Sequence, residues 1–261
     1  MTHAGNEKKD ASPTVPTGAM HLPVAYLDEW IAIVDKPAGL MTHDSKLAGN
    51  ETEFATDRLR MQFGRPIHLI HRLDRATSGC LLLAFDRDAA AALGTMVMDR
   101  QLRKSYLAIC RGWPEHDDFT IDHSLDGGPG KPMKKPATTH FQRLATGSLP
   151  IPSSGFPTSR YALLRCEPVT GRFRQIRRHL KHASHHLIGD TSHGDGRHNR
   201  HFRMHGIHRM LLHALTLEFV HPITGAPIHA IAPLDQDYQR ALTLFNWPAY
   251  PLGSSQSPPA C

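Results

Sequence analysis

Asp74 lies in the string His71-Arg72-Leu73-Asp74-Arg75, just ahead of Thr77-Ser78-Gly79. A carboxylate flanked by guanidiniums is expected to stay ionised, because a nearby cation lowers its pKa. Held at the mouth of a strand, such a group can act as a nucleophile or a base. The ordinary alternative for an Asp-Arg cluster is a structural ion pair in a turn. A second group is cationic: Arg174, Arg177, Arg178 and Lys181 recur at i, i+3, i+4 and i+7, one face of a helix. Phe173, Ile176, Leu180 and Ala183 form another stripe. The element is therefore expected to bury one side and to offer a basic ridge on the other. With no carboxylate among the four cations, that ridge suits phosphate contacts, although such stripes are often only solvated faces. Ten histidines lie from His179 to His213, without an HExxH pattern or a repeating spacing. No metal site is expected there, and the histidines read as surface or RNA-facing groups.

The elements that must position these groups are short. Ala25–Leu27 and Trp30–Asp35 read as strands around Asp28-Glu29, stopped by Lys36-Pro37. The apolar run Cys80–Phe85 reads as a strand buried on both faces, fed by the turn after Asp74. Asp88 is placed to cap a helix through the alanine-rich stretch to about Met98. Lys104–Cys110, Tyr161–Cys166 and Leu211–Val220 read as further strands, Phe173–Ala183 as a helix, and His221 to Pro233 as a hairpin around Thr224-Gly225. A closing helix runs from about Asp235 to Phe245. Strands not regularly separated by helices argue for an α+β class with a mixed, largely antiparallel sheet. The expected organisation is one domain over 21–250, between polar tails at 1–20 and 251–261.

The chain has 261 residues, enough to bury a sizeable core without staples. Lys and Arg number 30 against 24 Asp and Glu, a net charge of +6, with 20 His besides. This balance favours a polyanionic partner such as nucleic acid. No apolar run approaches the roughly 20 residues needed to span a bilayer, and the first twenty residues lack the apolar core of a secretory signal. The four cysteines are scattered without a CxxC pair, which argues against a disulfide framework or a cysteine zinc site. A cytoplasmic, monomeric protein without membrane attachment is expected.

His71-Arg72-Leu73-Asp74, two residues, then Thr77-Ser78-Gly79 resembles the signature of the RluA-type pseudouridine synthases. Seven matched positions coincide by chance about once in a billion starts. Further blocks follow in the family's order: Lys36–His43 (KPAGLMTH), Arg103–Gly112 (RKSYLAICRG), Thr170–Leu180 (TGRFRQIRRHL), LIGDTSHGD from Leu187 and MLLHA from Met210. The resemblance covers roughly Ala25 to Phe245.

The resemblance implies a pseudouridine synthase fold with a central RNA-binding cleft and no metal or organic cofactor. It implies that Asp74 is the catalytic aspartate that attacks the target uridine. Tyr106 then stacks on the uracil and is implicated in removing a proton, and Arg177 pairs with the aspartate. Arg72 helps the base leave its stack, and Ile176 packs against it. Arg174 stands where the family pattern has His, and Arg174, Arg178 and Lys181 are expected to contact the RNA. Chemistry on an extruded nucleotide fits these roles, since a stacked base exposes neither face and an aromatic ring supplies a floor. No separate RNA-binding module is expected before the first strand. Leu149–Leu164 and Gly189–Phe202 resemble the family members that modify uridine 65 of tRNA, so tRNA is the expected substrate. Large-subunit ribosomal RNA, or both RNAs, is the alternative. An RNA-binding protein without catalysis and a metal-dependent hydrolase are the readings from other classes. Lys131–Pro136 (KPMKKP) is a further candidate RNA contact and reads as a mobile basic loop.

Overall fold

The computed structural model describes residues 21–43, 53–153 and 155–248; the two expected tails lie outside the described residues. In chain order the elements are β1 (Val24–Leu27), β2 (Ile31–Lys36), α1 (Ala55–Phe63), β3 (His68–Leu69), β4 (Ser78–Ala84), α2 (Arg87–Met98), β5 (Arg103–Arg111) and β6 (Asp118–Asp122). There follow β7 (Leu125–Asp126), β8 (Lys134–Lys135), β9 (Thr138–Leu149), β10 (Ser159–Pro168), α3 (Gln175–His182), α4 (Gly196–Met204), β11 (Leu212–Val220), β12 (Pro227–Ile231) and α5 (Gln236–Leu244). This is the expected α+β class.

Ten strands form one sheet in the order β1-β2-β4-β11-β5-β10-β9-β6, with β12 on β11 and β3 on β4. Every pairing is antiparallel except β4 with β11. The period of two along each strand divides the core. Cys80, Leu82, Leu107, Ile109, Tyr161 and Leu163 face one side, where α2, α4 and α5 pack. Leu81, Leu83, Ala108, Cys110, Ala162 and Leu164 face the other, where α1 brings Ala55 and Leu59, and α3 brings Ile176 and Leu180. On that second face the apolar residues fall into two clusters, and Tyr106 packs against both.

Several elements differ from expectation. Asp86, not Asp88, caps α2, its side chain accepting from Ala89 N–H; Asp88 falls in the first turn, where its charge suits the helix dipole. The arginine helix begins at Gln175 instead of Phe173, because Arg174 is left-handed at φ 51°. The elements α1, β3, β6 to β9 and α4 had no counterpart in the pattern. β9 (TTHFQRLATGSL) lies one strand from the sheet edge and is only partly buried, so it carries a weak apolar alternation. α4 (GRHNRHFRM) is polar all round and buries only His198, Asn199 and Phe202.

Candidate active site

The loop from His71 to Thr77 leaves from β3 and returns into β4. Along one edge of β4, β3 pairs with the end of the strand (His68↔Ala84, Leu69↔Leu83) and β11 pairs with its start (His213↔Ser78, Ala214↔Gly79). Asp74 therefore sits where β4 changes partners. Gly79 permits the junction: its φ is +106°, and a Cβ there would lie 2.1 Å from Ala214 O. Only glycine fits that approach. Beside it, the buried Ser78 hydroxyl meets His213 Nδ1 at 2.7 Å, and His213 Nε2 meets Ala232 O at 3.0 Å. These bonds fasten β4 to β11 and to the segment after β12.

The KPAGLMTH segment holds the same loop from its other side. Thr42 Oγ1 donates to Leu73 O at 2.7 Å, and Gly39 N–H donates to Arg75 O at 2.8 Å. Lys36 is fully buried, and its Nζ donates to Pro37 O, Leu40 O and Arg75 O at 2.7, 2.9 and 3.3 Å. Burial and then the Arg209 charge push the Lys36 ammonium down to about 7, against the opposing pull of Asp74 and Asp35. The carbonyls of both residues flanking Asp74, Leu73 and Arg75, are thus held by a segment more than thirty residues upstream.

The cation that meets Asp74 is not a sequence neighbour. Arg177 Nη1 donates to Asp74 Oδ2 at 2.7 Å, while Arg75 Nε donates to Gly39 O and Arg72 is exposed without an ion pair among the described residues. Arg177 is itself buried, and its remaining edge makes a bidentate pair with Asp190, Nε to Oδ2 at 2.7 Å and Nη2 to Oδ1 at 2.8 Å. Asp190 Oδ1 also accepts from Ser192 N–H and His193 N–H, and Asn199 braces the turn through Gly189 N–H and Asp190 O. Burial works against the Asp190 charge, but Arg177 and these amides hold its carboxyl below the usual range. The planar guanidinium fork suits such a bridge. The Asp74 side chain stays 26% exposed, within reach of a substrate.

Tyr106 stands opposite Ala214 of β11 and Cys166 of β10, in the same row as Gly79. Burial, and then the Asp74 charge, raise its phenol pKa, so the ground state is the neutral hydroxyl. Ile176 is 6% exposed and belongs to the cluster against which Tyr106 packs. Asp74, Tyr106, Arg177 and Ile176 thus converge on one face of the sheet.

The expected basic ridge does not form as a ridge. Arg177 turns inward, and Arg178 is held by Asp126, donating from Nη2 to Oδ2 at 2.7 Å and from Nη1 to the backbone oxygen at 3.0 Å. The carboxylates that break it, Asp74, Asp126 and Asp190, come from other elements, where the helical spacing has no view of them. Lys181 remains exposed, and Arg174 reaches Ser192 Oγ at 3.3 Å with its guanidinium over the Phe173 ring. Nor are the histidines all surface groups: His179, His198 and His213 are buried. Residues missed by the pattern are Asp190, Lys36 and Gln175. Buried Gln175 locks α3 to β9, donating to Thr138 O and Thr139 Oγ1 and accepting from Thr170 Oγ1 and Arg172 N–H. Lys36 and Asp190 both fall inside the blocks that carry the family resemblance, which was the available signal.

A family profile described as RNA pseudouridylate synthase matches residues 31–182. The tRNA pseudouridine synthase C of Vibrio parahaemolyticus is 40% identical over 237 residues, covering 87% of this chain and 96% of that protein. Its namesakes are 41% identical in Vibrio cholerae, covering 87% and 96%, and 40% in Salmonella typhimurium, covering 87% and 90%. Among solved structures, human RNA pseudouridylate synthase domain containing 1 superposes with a TM-score of 0.63 at 26% identity, covering 85% of this chain and 86% of that one. The human domain containing 4 superposes at 0.66 with 22% identity, covering 86% and 93%, a likeness of fold.

Proposed function

Because the chain belongs to the RNA pseudouridylate synthase family and is an RNA pseudouridine synthase, we propose that its substrate is tRNA, that uridine 65 is the position modified, and that Asp74 is the nucleophile. The tRNA reading is supported by relatives named as tRNA enzymes at about 40% identity over 87% of the chain. The catalytic roles are supported by one observation above the rest: a buried Arg177 that spans a partly exposed Asp74 and a buried Asp190.

The isomerisation exchanges the N1–C1′ bond for a C5–C1′ bond, so C5 gives up its hydrogen to water and N1 gains a proton. Nothing is oxidised or reduced. The target nucleotide must leave its stack first. Arg72, exposed and unpaired among the described residues, is the residue that helps it leave. The base then rests on Tyr106, above the apolar floor that includes Ile176. Arg177 fixes the orientation of Asp74, because Asp190 fixes Arg177. Burial is the main reason the Tyr106 phenol holds its proton, and the Asp74 charge adds to it. A bond from Asp74 to the substrate, broken again once the C5–C1′ bond has formed, removes that added charge while it lasts. Loss of that charge eases proton release from the phenol, which suits it to proton transfer at the later C5 step.

The test is release of tritium from RNA carrying it at uracil C5, with tRNA and large-subunit ribosomal RNA transcripts in parallel and the modified position mapped. Wild-type protein is expected to release tritium from tRNA at position 65, and Asp74→Ala to lose at least about a thousandfold in rate. Release from ribosomal RNA alone would overturn the substrate. Undiminished release by Asp74→Ala would overturn the nucleophile.

A further inference from the structure

The short hairpin β7–β8 stands apart from the ten-stranded sheet as a two-stranded unit. Its connection, Gly127 to Met133, and the residues up to Pro136 read GGPGKPMKKP. Lys131, Lys134 and Lys135 are all exposed, Met133 is 74% exposed, and no acidic side chain falls among these ten residues. The hairpin nonetheless has a set shape. Three prolines restrict it, Gly127 N–H donates to Lys131 O, and Lys131 N–H donates to Gly128 O. Gly128, at φ +92°, lies so close under Phe173 that a Cβ would stand 2.7 Å from the ring.

The hairpin is gripped at both ends by one stretch of chain. At its start, Arg178 holds Asp126 by side chain and backbone; at its finish, Arg172 Nε donates to Pro136 O at 3.0 Å. That stretch, 172–178, also carries Arg177 to Asp74. A preset, cationic hairpin fastened to the stretch that reaches the candidate nucleophile has the chemistry of a clamp on a phosphate backbone.

We propose that the β7–β8 hairpin is an arm that grips the phosphate backbone of the substrate RNA through Lys131, Lys134 and Lys135, and that Arg178 is its latch, holding Asp126 instead of RNA. The proposal rests on the reading of the protein as an enzyme of structured RNA. It reverses the role that helical spacing assigns to Arg178. It also makes an unusual demand on Asp126: this negative charge favours RNA binding, because it seats the arm.

The experiment measures dissociation constants of the full chain for an unmodified tRNA transcript over a series of salt concentrations, with thermal melting to confirm folding. The variants are Lys131→Ala/Lys134→Ala/Lys135→Ala, Asp126→Asn, Arg178→Ala and their combinations. Removing the lysines is expected to weaken binding and to reduce the slope of log K against log salt by about 2 to 3. Asp126→Asn is expected to weaken binding several-fold although it removes a negative charge, with Arg178→Ala matching it. Either change added to the lysine variant is expected to cost little more, since the arm's contacts are already gone. An unchanged affinity and slope in the lysine variant would overturn the arm. Tighter binding by folded Asp126→Asn would overturn the latch and return Arg178 to the RNA. Because the readout is binding, failure of the tRNA turnover assay is a separate result from failure of the arm.

Discussion

A single guanidinium joins the two carboxylates of the candidate site. Arg177 is buried between two carboxylates, and a buried charge that loses one of its partners keeps its desolvation cost without the compensation. Replacing Asp190 by Ala is therefore expected to lower stability by about 3–5 kcal/mol in denaturant unfolding. Catalysis should fall as well, because Arg177 can then swing away from Asp74. Normal stability in this variant would mean that Arg177 is held by something other than Asp190. The contact of Asp74 with Arg177 was legible in the sequence through the family resemblance, since each stands in a string whose neighbours identify it. The local string sets Arg72 and Arg75 beside Asp74, but the 2.7 Å ion pair comes from Arg177, on a helix 103 residues on. Asp190 was invisible as a site residue for the same reason: a carboxylate means nothing until the cation opposite it is known.

The elements matter through their junctions. The parallel contact of β4 with β11 exists because Gly79 has no side chain, and the loop bearing Asp74 is suspended beside that contact. Gly79→Ala would force a Cβ into the Ala214 backbone at a left-handed φ, and is expected to cost about 3 kcal/mol or more, measured by denaturant unfolding. A cost below about 1 kcal/mol would mean that the two strands can part without harm. The strands with continuous apolar runs, β2, β4 and β11, were foreseeable to within a residue or two. Such runs are buried on both faces and need no partner to be recognised. β9 and α4 were not foreseeable, because their burial is partial and is supplied by neighbours the local pattern does not contain. α3 was placed one turn fragment early, since its start is set by Gln175 docking on β9 and not by the apolar stripe.

Across the whole molecule, the abundant histidines divide into exposed groups and groups that the core keeps neutral. Burial, followed by nearby cations for His198 and partly offset by the Ala232 carbonyl for His213, lowers both pKa values to about 4, from an ordinary 6.5. On acidification the unfolded chain takes up protons at these positions before the folded one does, so stability is lost as pH falls from about 6.5 towards 4. The upper bound is about 3 kcal/mol for each histidine. Asp35, raised by burial to about 6, acts in the opposite sense over the lower part of that range, because its folded form prefers the proton. The histidines are expected to prevail, and melting temperature should rise between pH 4.5 and 7. A flat or falling profile would mean that His198 and His213 are protonated in the fold. Three cysteines, Cys80, Cys110 and Cys166, are buried and unpaired, and among the described residues no helix is long and apolar enough to cross a membrane.

The sequence by itself determined the fold class, the family and the identity of the chemical groups. Those depend on local strings and on apolar periodicity, which survive without a partner. Beyond the Asp74–Arg177 pair, the tertiary structure alone decided which charges meet. It turned Arg177 inward, assigned Arg178 to Asp126, buried three of the surface-read histidines and hung Asp74 from Lys36, Thr42 and Gly39. Charge pairing is set by distance in space and by burial, and neither is a function of separation along the chain.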